Sequence, residues 1–146
     1  MDMTSLKVTV GYTLRRAQAV VFADFSEALS DLKLRPVQYS VLLLVDQNPG
    51  TSQSSVSAAL GIQKANIVAI IADLVDRRLV RRQRSPADGR SYSLDLSSAG
   101  KVLLSRASQL QSAHEAKLEA HIGASGRSRL LELLERLMHL PSDASS

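Results

Sequence analysis

The stretch Leu79-Val80-Arg81-Arg82-Gln83-Arg84-Ser85-Pro86-Ala87-Asp88-Gly89-Arg90-Ser91-Tyr92-Ser93-Leu94-Asp95-Leu96 decides how the chain reads. From Ser91 onward its side chains alternate. Tyr92, Leu94 and Leu96 fall on one side, and Ser91, Ser93 and Asp95 on the other. That period of two marks a half-buried strand. Residues 79 to 84 form a second candidate strand, and Ser85 to Arg90 is rich in turn formers. Strand, loop, strand makes a hairpin, and the hairpin is basic. Residues 77 to 90 hold Arg77, Arg78, Arg81, Arg82, Arg84 and Arg90 against one acid, Asp88. A solvated basic surface is the plain explanation of such a run.

What precedes the hairpin points further. Ser52 suits an N-cap. A helix from Gln53 would bury Val56, Ala59 and Leu60. Gly61 stands where a left-handed C-cap residue is wanted, and Ile62 reads as a buried turn residue. A second helix, about Lys64 to Arg77, carries Ile67, Ile70, Ile71 and Leu74 on one face. Two short helices joined by a Gly-containing turn match the helix-turn-helix pattern, whose second helix enters the major groove N-terminus first. Gln63, Lys64 and Asn66 are the polar side chains at that end. Asn and Gln pair with adenine edges and Lys with guanine, while Val68 could touch a thymine methyl. Gln63 could instead cap the helix, and Lys64 could meet a phosphate only. Ala65, Ala69 and Ala72 make a small outward face that lets the backbone come close to DNA.

The rest of the expected DNA-binding set comprises Ser52, Gln53 and Ser55 at the start of the first helix, and Arg81, Arg82 and Arg84 on the hairpin. Arg90 is expected in an adjacent minor groove, drawn by its negative potential. Asp88 is expected to brace a hairpin Arg, unless it makes an ordinary turn hydrogen bond.

The flanks read as helices. Leu14, Ala17, Val21, Phe25, Leu29 and Leu32 recur every three or four residues, which predicts a helix within residues 6 to 32. Residues before Val10 read as frayed or extended. Pro36 suits the first turn of a helix through Tyr39, Leu42, Leu43 and Val45, stopped by Asn48-Pro49-Gly50. Ser97 or Ser98 would cap a long helix through Leu103, Ala107, Leu110 and Leu118. Gly123 to Gly126 breaks it. A last helix carries Leu130, Leu133, Leu134, Leu137 and Met138 and ends at Pro141, leaving a polar tail at 141–146, expected to be disordered.

Composition agrees. The 146 residues fit one domain, and 45% are apolar, against a disordered chain. Aromatics are 3%, with no Trp, so the core must be aliphatic, which suits packed helices. Eighteen Lys and Arg against fourteen acids give +4, compatible with nucleic acid. No Cys is present, which excludes disulfides, thiol catalysis and Cys-based zinc sites. The N-terminus does not read as a signal peptide, and no run is long enough to span a membrane. The expected compartment is the cytoplasm.

The sequence resembles the MarR family of bacterial regulators. The resemblance is carried by Pro49-Gly50-Thr51-Ser52-Gln53, Ala59-Leu60-Gly61, and Ile71-Ala72-Asp73-Leu74 through Leu79-Val80-Arg81-Arg82. Most specific is Pro86 to Gly100, similar to the family's wing pattern of Pro, Asp-x-Arg, alternating strand and Ser/Thr-x-x-Gly opening a long helix. Two departures stand out. Arg78 occupies the place of a usual Gly after the recognition helix, so a different cap is expected there. Ser55 stands where Glu is common.

The resemblance implies a mainly α fold with a small β-hairpin wing. Residues 1–32 and 98–140 would form a helical dimerisation region around a winged helix-turn-helix at 36–97. Leu130 to Met138 is apolar enough to need a partner surface, supplied by a second copy or by its own chain. The implied partners are double-stranded DNA, a second copy, and a small effector such as an aromatic carboxylate or its CoA thioester. The segment Gly11 to Gln18 is similar to the first helix of members that answer to such compounds. Arg15, Arg16 or Arg35 could meet a carboxylate or phosphate, and Tyr12 and Tyr39 could line an aromatic slot. Surface charge and ordinary tyrosines explain the same residues.

No cofactor is expected. His114 and His121, with Glu115 and Glu119, suggest a metal, but seven residues span about 10 Å of helix, too far for one ion. No phosphate loop, nucleophile elbow or carboxylate pair speaks for an enzyme. A regulator answering to another phenolic compound or an antibiotic, and a helical scaffold without DNA binding, remain the alternatives.

Overall fold

A computed structural model describes residues 1–85 and 89–143. Its elements follow the order α1 (Thr4–Lys7), α2 (Val10–Ala28), a 3-10 turn (Ser30–Leu32), α3 (Pro36–Gln47), β1 (Thr51–Ser52), α4 (Gln53–Leu60), α5 (Lys64–Asp76), β2 (Val80–Arg84), β3 (Tyr92–Leu96), α6 (Ser98–Ile122) and α7 (Ala124–Met138). The chain divides into two compact units, Met1–Leu110 and a second beginning at Gln111.

The first unit holds an aliphatic core. Leu29, Val41, Leu42, Val45, Ile71, Leu74, Leu94 and Ala107 are wholly buried. All four apolar positions read on α5, Ile67, Ile70, Ile71 and Leu74, face inward. The core also takes Phe25 and Leu32 from the N-terminal segment and Leu104 and Ala107 from α6. Packing therefore crosses the boundaries drawn at residues 36 and 97.

The strands form a three-stranded antiparallel sheet in the order β1-β3-β2. Val80 pairs with Leu96, Arg82 with Leu94, and Arg84 with Tyr92, while Thr51 pairs with Leu94. The hairpin is as expected, but the third strand is not. At two residues, β1 is too short for any period to show.

Several local expectations are corrected. Residues before Val10 are not extended: Thr4–Lys7 makes one helical turn. Asp2 opens it, accepting bonds from the Thr4 N–H at 2.9 Å and hydroxyl at 2.7 Å, which hold its carboxyl below the usual range. The first long helix stops at Ala28, not Leu32: the chain tightens into the 3-10 turn Ser30–Leu32, which ends at Lys33 with a left-handed φ of 51°. On α4, Val56 and Ser57 are buried, whereas Ala59 is exposed and Leu60 half-buried. A serine can hold an inward position here because its hydroxyl donates to the Ile62 carbonyl. Only Gly123 breaks the C-terminal helices, and Gly126 lies inside α7. The expectation of a disordered tail falls partly on residues 144–146, outside the described residues.

The cap after α5 carries the clearest correction. Arg78 does not change the local geometry. It adopts φ 58°, the left-handed conformation that a glycine takes without strain. The turn is held from outside. Ser97 donates its hydroxyl to Arg78 O at 2.6 Å and its N–H to Leu79 O at 3.0 Å. The same hydroxyl accepts the Gly100 N–H at 3.0 Å, which makes Ser97 the cap of α6. Gly100 is required by contact: a Cβ there would lie 2.1 Å from Leu79 O.

In the second unit, Arg127 of α7 donates to Glu115 of α6 through Nε at 3.2 Å and Nη2 at 2.9 Å. Glu119 lies 4.0 Å from the same Arg. Leu130, Leu131, Leu133, Leu137 and Met138 are exposed, as are Val10, Leu14, Val20 and Phe22 on α2.

Two stability predictions follow from the α5–α6 junction. Gly100→Ala should destabilise the chain by roughly 3 kcal/mol, the upper end for overpacking, because the clashing atom is backbone. Arg78→Gly should stabilise it by about 0.5 kcal/mol, relief of left-handed strain exceeding the added chain entropy. Urea melts test both: an unchanged midpoint for the first, or a lowered one for the second, contradicts this account.

Candidate nucleic-acid interface

The exposed surface of the helix-turn-helix begins at α4. Ser52 caps it, accepting the Ser55 N–H at 3.1 Å. The two hydroxyls lie 3.0 Å apart, so Ser55 answers its cap through a hydroxyl rather than a carboxylate. Gly61, at φ 63°, reverses the chain and Gln63 opens α5. The Gln63 side chain does not cap the helix. Its amide, with Lys64, Ala65 and Asn66, faces outward, and Val68 is 46% exposed. Ala69 is exposed and Ala72 half-buried. No acid sits in the first turn of α5, so the positive end of its dipole is unopposed from within the helix.

The sheet register sorts the wing arginines by face, since directly paired residues share one side. Arg82 and Arg84 share the Tyr92 face. The Arg82 guanidinium carbon lies 5.1 Å, and that of Arg84 5.8 Å, from the Tyr92 ring centre. Arg82 also donates to Gln53 Oε1 at 3.5 Å, and Arg84 to Gly89 O at 2.9 Å. Gln53, Arg82, Tyr92 and Arg84 therefore make one strip from the start of α4 to the wing. The ring attracts cations through its negative face and keeps two guanidinium groups extended side by side.

The structure does not bring every expected residue to this strip. Arg81 lies on the other face, opposite Asp95, and donates to Leu96 O at 3.3 Å. Arg77 is taken out of the basic cluster altogether: it donates to Lys33 O at 2.9 Å and Leu32 O at 3.3 Å. Arg90 is exposed beyond the strip. Asp88 lies outside the described residues. Tyr92 was legible only as an inward strand residue; the signal for its second role was Arg82 and Arg84, two residues apart on one face of the paired strand.

The expected effector residues fall into two groups. Tyr39 is a core residue, its ring edge-on to Phe25 at 5.6 Å and 86°. Arg35 is exposed at the start of α3, its N–H held by Gln38 Oε1 at 2.9 Å. Tyr12 is half-buried and Arg15 and Arg16 are exposed on α2. Tyr12 and Phe25 are thirteen residues apart on one helix, about 20 Å at 1.5 Å per residue. One chain thus does not gather Tyr12 and Tyr39 into one small pocket. Among the described residues, no three His, Asp or Glu side chains could hold a metal, and Glu115 is engaged by Arg127. No single helix there is long and apolar enough to cross a membrane.

A capped helix, a Gly turn, a helix with an open N-terminus and a three-stranded basic wing define a winged helix-turn-helix. Residues 30–91 match the MarR family, and the chain belongs to that family. Among solved structures it is similar to the transcriptional repressor CouR bound to a 23-mer DNA duplex, with 40% identity and a TM-score of 0.90 over 94% of this chain and 98% of that one. CouR bound to p-coumaroyl-CoA matches at 37% identity and TM-score 0.90, over 97% and 99%. An HTH-type transcriptional repressor of Mycobacterium tuberculosis is 29% identical over 128 residues, 88% of this chain and 92% of its own length.

Proposed function

We propose that this chain is a homodimeric transcriptional repressor that binds a pseudo-palindromic operator and is released by an aromatic acid or its CoA thioester. The observation that carries the reading is the continuous strip Gln53–Arg82–Tyr92–Arg84, together with the exposed start of α5. The likeness to CouR on DNA supports it. Gln63, Lys64, Asn66 and Val68 read bases, with Ala65 allowing close approach. Ser52, Gln53, Ser55, Arg82, Arg84 and Arg90 hold phosphates and the minor groove. The exposed apolar residues of α2 and α7 meet a second copy, which sets two recognition helices about one DNA turn apart. The dimerisation helices are those of residues 1–32 and 98–140, around a DNA-binding region at 36–97. The protein works in the cytoplasm and has no catalytic role.

The effector follows from the likeness to CouR bound to p-coumaroyl-CoA. Tyr12, Arg15 and Arg16 on α2 and Arg35 at the start of α3 offer the ring and the cations that such an aromatic anion needs. Such a ligand favours release only if it binds the DNA-incompetent dimer more tightly.

Electrophoretic mobility shift across the protein's upstream region should show salt-sensitive, sequence-dependent binding. Absence of both would exclude the repressor reading. Saturating p-coumaroyl-CoA should lower operator affinity at least tenfold, with coenzyme A alone much weaker; no difference between the two removes the aromatic thioester. Arg82→Ala and Arg84→Ala should each reduce the slope of log affinity against log salt by roughly 2 per dimer, one phosphate per protomer. Arg81→Ala should change it far less. Equal slopes for all three would refute the division of faces.

A further inference from the structure

Helix α5 is fastened at two points that neither its core face nor its exposed N-terminal turn explains. Asp73 Oδ2 accepts a 2.7 Å bond from Gln38 Nε2. Gln38 is 3% exposed, and its other amide atom accepts the Arg35 N–H. One turn further on, at the C-cap of α5, Arg77 grips the Lys33 and Leu32 carbonyls. Both points of α5 therefore hold one short stretch, Leu32 to Gln38. This elbow joins the end of α2 to α3, and its Leu32 and Leu34 are buried in the core.

The apolar face of α5 sets its depth and the side it turns inward, but its contacts carry no preferred bond angle that would fix the finer aim. Hydrogen bonds have a preferred length and angle. Three of them at two points a turn apart narrow both the rotation of a helix and its slide along its axis.

We propose that Gln38 and Arg77 are positioning residues that hold the recognition helix in register with the α2–α3 elbow. The proposal rests on the DNA-binding reading above. A shift of α2 then moves the elbow and re-aims the exposed residues Gln63 to Val68 while the core stays packed. The clamp acts on sequence reading and leaves the wing's phosphate contacts alone.

The test uses the full-length protein and two duplexes: one selected by the wild-type protein from a random pool, and a shuffled duplex of the same composition. Fluorescence anisotropy at one salt concentration gives the ratio of the two affinities. Asp73→Ala combined with Arg77→Met should lower that ratio at least tenfold, with the shuffled-duplex affinity within twofold of wild type. Asp73→Asn, which keeps an acceptor in place, should stay within threefold of the wild-type ratio. If circular dichroism shows the double variant unfolded, Arg77→Met alone should still lower the ratio threefold or more. A ratio within twofold of wild type for the folded variants overturns the clamp. Equal loss on both duplexes also overturns it, since a mis-aimed helix spares phosphate binding. A wild-type protein that selects no sequence overturns the DNA-binding reading itself, and the clamp with it.

Discussion

The carbonyl of Leu79 is the point on which the DNA-binding unit depends. It accepts the Ser97 N–H, lies within reach of the Ser97 hydroxyl at 3.1 Å, and fills the space where Gly100 has no side chain. One backbone oxygen thereby ties the exit of α5, the first residue before β2 and the first turn of α6. The wing leaves the core at a fixed place because its two ends are joined there: β2 begins one residue after Leu79, and β3 ends one residue before Ser97. The left-handed Arg78 is the strained link in this knot. Ser97 bonding to its carbonyl offsets part of that strain, which is how a long side chain stands where glycine would be easier.

From that anchor the charge of the wing becomes ordered. Six arginines within fourteen positions look like one patch in the sequence. The fold gives them separate tasks. Arg82 and Arg84 stand together over Tyr92, Arg81 turns to the opposite face, and Arg77 closes a turn at the end of the N-terminal segment. Counting charge along a strand overstates the cations available to one ligand, because alternate residues point to opposite faces.

Much of the fold was legible in the sequence, for identifiable reasons. The 3.6-residue period of Ile67, Ile70, Ile71 and Leu74 and the two-residue period of Tyr92, Leu94 and Leu96 each reach buried positions or the sheet's inner side. Gly61 and Ser52 mark their turn and cap through backbone chemistry that few residues supply. What did not show were features set by distant partners. Strand β1 exists only because Leu94 and Ser93 lie beside Thr51 and Ser52. Ser57 is buried only because the Ile62 carbonyl receives it. Tyr39 read as a possible ligand contact, yet Phe25 claims its ring. The basic strip needs Gln53 and Arg82, twenty-nine residues apart, to meet.

The recognition helix itself poses a problem that its neighbours answer. Its outward face is largely alanine, and only Gln63, Lys64 and Asn66 offer polar chemistry near the exposed end. Small side chains bring the backbone close to whatever lies opposite, but they give no lateral grip. A helix read by so few groups must be aimed by its supports, since each bidentate base contact tolerates little displacement. The core face supplies depth and the coarse rotation, the wing supplies non-specific attraction, and neither carries a directional bond that sets the finer aim. The bonds from Gln38 and Arg77 are directional and sit at the opposite end of α5 from the reading residues. A small turn at that end sweeps the first turn of α5 sideways. Control of reading therefore lies away from the surface that reads, at the elbow leading to α2.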